Sequence, residues 1–320
     1  MEETIFDPGV TPVFRLFGMP VYPYSLLLVL GLITGLILAL RKAKRCRVPA
    51  DAILTFAMLG LPLGLIMGRL IFCATRLVEL MDLGIGYLFR VDYGGFSLMG
   101  VTFGIVLAAV LVHRIYDIRF ADVLDAVMPG LLIALAFARF AEGSTTNGTG
   151  PEIGLAGLCF SPLARQDLYG DYAFAVNMGE ALTALIAGIY IMTADKPVSG
   201  QSAATGVIIT AAAQILWESA RRDEVLIISF VRYVMVFSAL ILLLILILSL
   251  RQLDWPWTGK ALVILFLFLP AGIAGAMEFA IEGKILAFLP NWLCYLIDAL
   301  CVTFMGWVTL RTLNVACESK

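Results

Sequence analysis

Arg139 and Glu142, three residues apart and followed by Gly143 and an Asn147-Gly148 turn, form the most chemically suggestive stretch of this 320-residue chain. A guanidinium beside a tight polar turn presents a planar fork of donors. That fork suits a phosphodiester, which it binds through bidentate, charge-assisted hydrogen bonds. The alternative is an internal salt bridge from Arg139 to Glu142 or Glu180. Glu180 and Glu218 stand among apolar neighbours, so each is expected to point inward and pair with an arginine. Arg69 follows Gly68, a residue small enough for close helix packing. Its guanidinium is expected either to reach a headgroup phosphate or to snorkel to the interface.

Other charged groups read as structural. Asp122 and Asp125 open an apolar segment, where negative charge suits a helix N-terminus. His113, next to Arg114, reads as interfacial. Arg232, Glu278 and Asp298 carry no recognisable motif and are assigned to structural pairs. Six cysteines without a CxxC spacing and a single histidine make a zinc site a poor expectation, and no metal or cofactor is assigned.

The elements that must position these charges are membrane spans. The chain is 61% hydrophobic and 14% charged, with a mean hydropathy of +0.96, whereas soluble domains carry about 25% charged residues. Apolar runs near 22–41, 52–73, 96–113, 122–141, 174–193, 204–219, 226–250, 261–281 and 287–310 predict about nine helical spans. The fold class is therefore all-α, a polytopic transmembrane bundle. A charge at the bilayer centre costs about 2.5–3.5 kcal/mol on insertion scales, so Arg69 and Arg139 within spans ask for partners or a function. Two polar stretches, 75–95 and 142–173, are long enough to be structured.

The basic cluster at 41–47 places the first connection in the cytoplasm and the N-terminus outside. Of the 22 Lys and Arg, 12 then lie inside, seven outside and three within spans. Both long loops fall outside together with Glu218 and Arg221-Arg222, and the C-terminus falls in the cytoplasm. The start, Met1-Glu2-Glu3, lacks a basic n-region and an Ala-x-Ala site, so the first span is expected to remain as an anchor. Trp255 and Trp257 read as an interfacial belt. The scattered basic residues give no nucleic-acid footprint, and no internal repeat is found.

Several pieces, in order, resemble the bacterial prolipoprotein diacylglyceryl transferase family. They run Phe6-Asp7-Pro8, Pro12-Val13-Phe14 and Gly18-Met19-Pro20 into Tyr24. Then come Gly68-Arg69, Leu88-Phe89-Arg90, Gly94-Gly95-Phe96-Ser97 and Gly100. Asp125, Pro129, Ala138-Arg139, Asn147-Gly148, Glu180 and Glu218 follow. The likeness covers roughly residues 6–250, seven spans, and leaves 251–320 as an extra hairpin of about two spans with a short tail.

The resemblance implies a bacterial plasma-membrane enzyme that moves the diacylglyceryl group of phosphatidylglycerol to the lipobox cysteine of a preprolipoprotein. It implies Arg139, Glu218 and Tyr24 at the reacting groups. Arg69, Arg90, Gly94, Gly95, Gly100, Glu142, Asn147, Gly148, Glu180 and Gln214 would line the substrate sites, the glycines by letting backbone come close. Membrane lipids are the other expected partners. The chain departs from the family where Met99 replaces a histidine, Gln214 an arginine, Glu142 an asparagine and Gly179 a tyrosine. Those departures leave open a non-catalytic relative that binds phospholipid or lipoprotein. A transporter ranks last, because helix pairs broken by Gly or Pro in matching halves are not evident.

The predicted orientation has a direct check. In a background without the native cysteines, Gly157→Cys should react with a membrane-impermeant maleimide in intact cells, and Asp254→Cys only after lysis. The reverse pattern would overturn the orientation.

Overall fold

The computed structural model describes residues 11–89, 95–145, 147–154, 156–166, 170–194, 198–222, 227–228, 231–281 and 288–319. Among these residues nine helices are long and apolar enough to cross a membrane. In chain order the helices are α1 (Pro23–Cys46), α2 (Ala50–Thr75), the short α3 (Leu77–Leu83), α4 (Leu98–Tyr116) and α5 (Phe120–Ala141). Then come α6 (Val176–Thr193), α7 (Gln201–Ala220), α8 (Tyr233–Arg251), α9 (Trp257–Ile281) and α10 (Asn291–Glu318). Helices satisfy every backbone amide internally, the condition lipid imposes on a span. Local signals set their ends: Pro23 occupies the first turn of α1, while Arg47 and Asp117 close α1 and α4 in the left-handed region.

The bundle is all-α as expected, and all nine predicted spans correspond to a helix. Three details differ. The seventh span starts later than 226, because β6 (Ile227–Ile228) and β7 (Val231–Arg232) pair as a small antiparallel hairpin ahead of α8. Within the stretch 75–95, the described residues form α3 followed by a 3-10 turn at Ile85–Phe89. Stretch 142–173 builds a three-stranded antiparallel sheet from β3 (Thr149–Glu152), β4 (Ala164–Gln166) and β5 (Tyr172–Ala175), in the order β3-β5-β4. A further hairpin, β1 (Phe14–Leu16) with β2 (Met19–Val21), precedes α1.

Small residues decide which helices touch. Gly35 of α1 lies against Gly130 of α5, so close that a Cβ on Gly35 would sit 2.5 Å from the Gly130 carbonyl oxygen. Gly104 of α4 meets α2 in the same way, its missing Cβ falling 2.5 Å from the Leu63 carbonyl and 2.6 Å from Gly64 Cα. Gly100 packs on Met67 and Gly68, so its close approach is to another helix. Ala39, Ala43, Ala52, Ile53, Ala108 and Val127 fill one apolar core among α1, α2, α4 and α5. A second core joins Ile208 and Ile215 of α7 to Leu242 and Leu246 of α8, Leu267 of α9 and Val302 and Met305 of α10. Through it the last two helices brace α7.

Asp125 caps a helix, but not its own. Its Oδ2 accepts the Gly200 amide at 2.6 Å and its Oδ1 the Ala203 amide at 2.7 Å, closing the start of α7. Asp122 pairs with Arg119 at 2.9 Å. His113 contacts the Ile118 carbonyl oxygen through Nδ1 at 2.6 Å, a structural role at the end of α4.

A bulky residue at Gly104 should push α2 and α4 apart. We expect Gly104→Val to lower stability by about 1–3 kcal/mol through overpacking, read as an earlier thermal transition in detergent. Gly272→Val, on α9 with nothing within 4 Å of its Cβ position, should leave that transition in place.

Candidate functional site

Arg139 sits in the last turn of α5, and the chain then tightens into a 3-10 turn at Glu142–Ser144. This places Glu142 one turn beyond Arg139, and the Arg139 Nη1 donates to Glu142 Oε2 at 2.9 Å. Glu180 enters from the second turn of α6, its Oε2 3.2 Å from Arg139 Nε. Both internal partners anticipated for Arg139 are thus present together.

A second arginine completes the arrangement. Arg221, just past the end of α7, places Nη1 2.7 Å from Glu180 Oε2 and Nη2 on Glu142 Oε1. Two guanidiniums and two carboxylates therefore alternate around a ring in which each carboxylate meets both arginines. Gln214 Nε2 donates to Glu218 Oε2 at 3.1 Å and to Glu180 Oε1 at 3.4 Å, extending the ring along α7. Arg232, at the start of α8, reaches Glu218 Oε1 at 3.3 Å and the Arg221 carbonyl oxygen. Three arginines and three glutamates thus meet with 5–16% of each side chain exposed. Such burial is tolerable because the charges cancel and the hydrogen bonds are charge-assisted; removing one partner of a buried pair costs roughly 3–5 kcal/mol.

A polar roof lies over the ring. The Thr145 hydroxyl donates to the Glu142 carbonyl at 2.7 Å and accepts the Asn147 amide at 3.3 Å. Gly148 is held at φ +81°, with the place of a Cβ only 2.8 Å from Asn177 Cβ, so both conformation and space require glycine. Arg165 of β4 donates to the carbonyls of Glu142, at 3.2 Å, and Asn147. Asn177, fully buried on α6, donates through Nδ2 to the Arg139 carbonyl at 3.2 Å. The Arg222 amide bonds Thr149 O at 2.9 Å, tying β3 to the end of α7. Tyr24, in the first turn of α1, lies within electrostatic reach of Glu142 and Arg139.

Among the residues singled out from the sequence, Arg139, Glu142, Glu180, Gln214 and Glu218 converge, with Asn147 and Gly148 above them and Tyr24 at the rim. Arg69 stands elsewhere and has turned inward. Its guanidinium donates to the carbonyls of Tyr87 (2.7 Å), Gly95 (3.0 Å) and Leu88 (3.2 Å), and lies 5.0 Å from the Tyr87 ring and 5.5 Å from the Phe72 ring. The residue is only 6% exposed, so it pins Tyr87, Leu88 and Gly95 to α2 and does not snorkel. Gly95, at φ +80° against Phe72, and Gly100 belong to that same post. Arg90 and Gly94 lie outside the described residues. Sequence reasoning gave no site role to Arg165, Asn177, Arg221 or Arg232. Two of these lie near acids singled out from the sequence, Arg221 three residues after Glu218 and Asn177 three before Glu180, but their partners, Glu142 and Glu180 for Arg221 and the Arg139 carbonyl for Asn177, come from other elements.

The match with known proteins spans the region that holds these residues. A family model described as prolipoprotein diacylglyceryl transferase matches residues 12–251, from the β1 hairpin to the end of α8. The phosphatidylglycerol–prolipoprotein diacylglyceryl transferase of Clostridioides difficile (strain 630) is 30% identical over 135 residues, which is 42% of this chain and 53% of the relative. Proteins of the same name from Enterococcus faecalis (strain ATCC 700802 / V583) and from Halalkalibacterium halodurans are each 30% identical, over 138 and 140 residues. Those matches cover 43% and 44% of this chain and 49% and 48% of the relatives. The chain spans about half the length of the curated relatives it matches. With three quarters of its length inside the family model and its buried arginines inside that region, this multi-pass bacterial membrane protein belongs to the prolipoprotein diacylglyceryl transferase family.

Proposed function

We propose that the chain transfers the diacylglyceryl group of phosphatidylglycerol to the lipobox cysteine of a preprolipoprotein. The observation that carries this reading is the buried ring of Arg139, Arg221 and Arg232 with three glutamates at the ends of α5, α7 and α8. In the reaction a C–S bond forms between the cysteine sulfur and the diacylglyceryl carbon. The C–O bond to phosphate breaks, and glycerol phosphate leaves with the electron pair. The negative charge that develops on the phosphate oxygens needs preorganised donors in a low-dielectric place, and guanidiniums already fixed by carboxylates supply them. The thiol proton passes to a carboxylate of the ring. We assign this to Glu218, which a single arginine holds among the described residues. Tyr24 would hydrogen-bond the lipid, and the Asn147-Gly148 turn would cover the headgroup. The displacement consumes no cofactor, and we assign none. In this reading the ring and the 142–173 sheet face outward, the N-terminus lies outside and the C-terminus in the cytoplasm.

A second reading has its own observation. Glu142 in place of asparagine adds a negative charge and Gln214 in place of arginine removes a positive one. The ring therefore balances three charges against three, where the family pattern leaves an excess of positive charge. A neutral ring draws an anionic headgroup less strongly, and Met99 supplies no imidazole. Both features fit a relative that binds lipid or lipoprotein without turning it over.

Purified protein with phosphatidylglycerol and a lipobox peptide should release glycerol phosphate, and Arg139→Ala or Arg221→Ala should slow release by about 10²–10³-fold, as for loss of a transition-state donor. Wild-type protein that binds the lipid but releases nothing would sink the transferase reading and leave the binding one. The double substitution Glu142→Asn with Gln214→Arg restores the family's charge. We expect it to raise the release rate or create activity where there was none; unchanged lipid affinity in that variant would refute the charge argument.

A further inference from the structure

At the membrane face opposite the arginine ring, the ends of α1, α5 and α7 enclose a cavity of about 480 Å³. Lys42, Arg45, Arg47 and Arg119 line it, against two acids, Asp122 and Asp125. Charges that only orient a span need stay no deeper than the headgroups. Lys42 goes further: it is 5% exposed, and its Nζ donates to the Ile191 carbonyl of α6 at 2.9 Å. Arg45 stays exposed beside it and reaches the Met192 carbonyl at 3.2 Å. The start of α7 adds no free amide field, since Asp125 already accepts Gly200 N and Ala203 N. The excess positive charge therefore resides on side chains. Asp122 and Asp125 stand beside them with the Ser202 hydroxyl, and Asp122 already accepts Arg119 Nε at 2.9 Å and the Ser199 hydroxyl.

This combination fits one chemical class. Phosphate accepts from the cations, and free hydroxyls on the same headgroup donate to the carboxylates. A basic pocket among span ends at headgroup depth selects an anionic lipid over a zwitterionic one. We propose that this cavity binds the headgroup of a hydroxyl-bearing anionic phospholipid in the leaflet opposite the reaction site. The inference stands on this cavity alone, whether or not the ring is catalytic.

Cys46 lines the cavity and is half-buried, so it reports occupancy without any substitution. Purified full-length protein is alkylated with a maleimide and Cys46 is followed by peptide mass spectrometry. Phosphatidylglycerol is expected to slow labelling of Cys46, and phosphatidylcholine to leave it unchanged. Equal labelling with and without phosphatidylglycerol overturns the proposal. Inorganic phosphate that protects Cys46 as well as the lipid does would make the cavity a free-phosphate site and overturn the lipid assignment. In native mass spectrometry, the variant Arg45→Ala with Arg47→Asn should hold one fewer phosphatidylglycerol than wild type. Its affinity for that lipid should be about thirtyfold weaker, from the loss of two interfacial cations. Identical lipid occupancy in wild type and a folded variant would also refute it.

Discussion

The alternation of Arg139 and Arg221 with Glu142 and Glu180 is the interaction on which its end of the bundle depends. Each guanidinium links two carboxylates from different elements, so α5, α6, the 3-10 turn and the end of α7 are held by one ring. In a medium of low dielectric, no member can leave without stranding an opposite charge. In the proposed reaction the same interaction would serve architecture and reactivity, with the acids holding in place the donors that meet the departing phosphate.

Elsewhere in the bundle the packing is backbone-driven. Lipid gives helices no hydrophobic reason to associate, so close contact comes from small residues that let main chains meet. The pairs Gly35–Gly130 and Gly64–Gly104 set α1 on α5 and α2 on α4. Arg69 then fastens the segment after α2 by donating to three carbonyls, a use of guanidinium unrelated to any anion. Similar side chains in similar surroundings thus do opposite work: Arg139 and Arg221 meet acids, while Arg69 serves as scaffold.

The spans were legible because hydropathy over some twenty residues is a strong one-dimensional signal. Glu180 and Glu218 were legible as inward-facing acids because charges among apolar neighbours must find partners. Arg139 was anticipated as a partner of Glu180, whereas Arg221 and Arg232 were not anticipated for either acid. Arg221 reads in sequence as one of two basic residues in an external connection, and only the way α7 ends turns it back into the bundle. Asp125 shows the same limit: acid at the start of a helix suggested a cap, but the helix it closes lies 75 residues away. Arg69 defied its reading because the carbonyls it meets, those of a short 3-10 turn and of Gly95, belong to a connection that hydropathy does not mark. Long-range pairing across irregular segments leaves no periodic trace.

Helix α7 is fastened at both ends by charge. Asp125 grips its first amides, and Glu218 is held near its other end by Gln214 and Arg232. Eighteen residues separate Gly200 from Glu218, about 27 Å at 1.5 Å per residue. A helix clamped this way cannot slide or lengthen to follow its surroundings. A bilayer whose hydrocarbon did not match this span would then have to adjust around α7, at a cost of fractions of a kcal/mol per Å, because the contacts at its two ends fix how much of the helix lies between them.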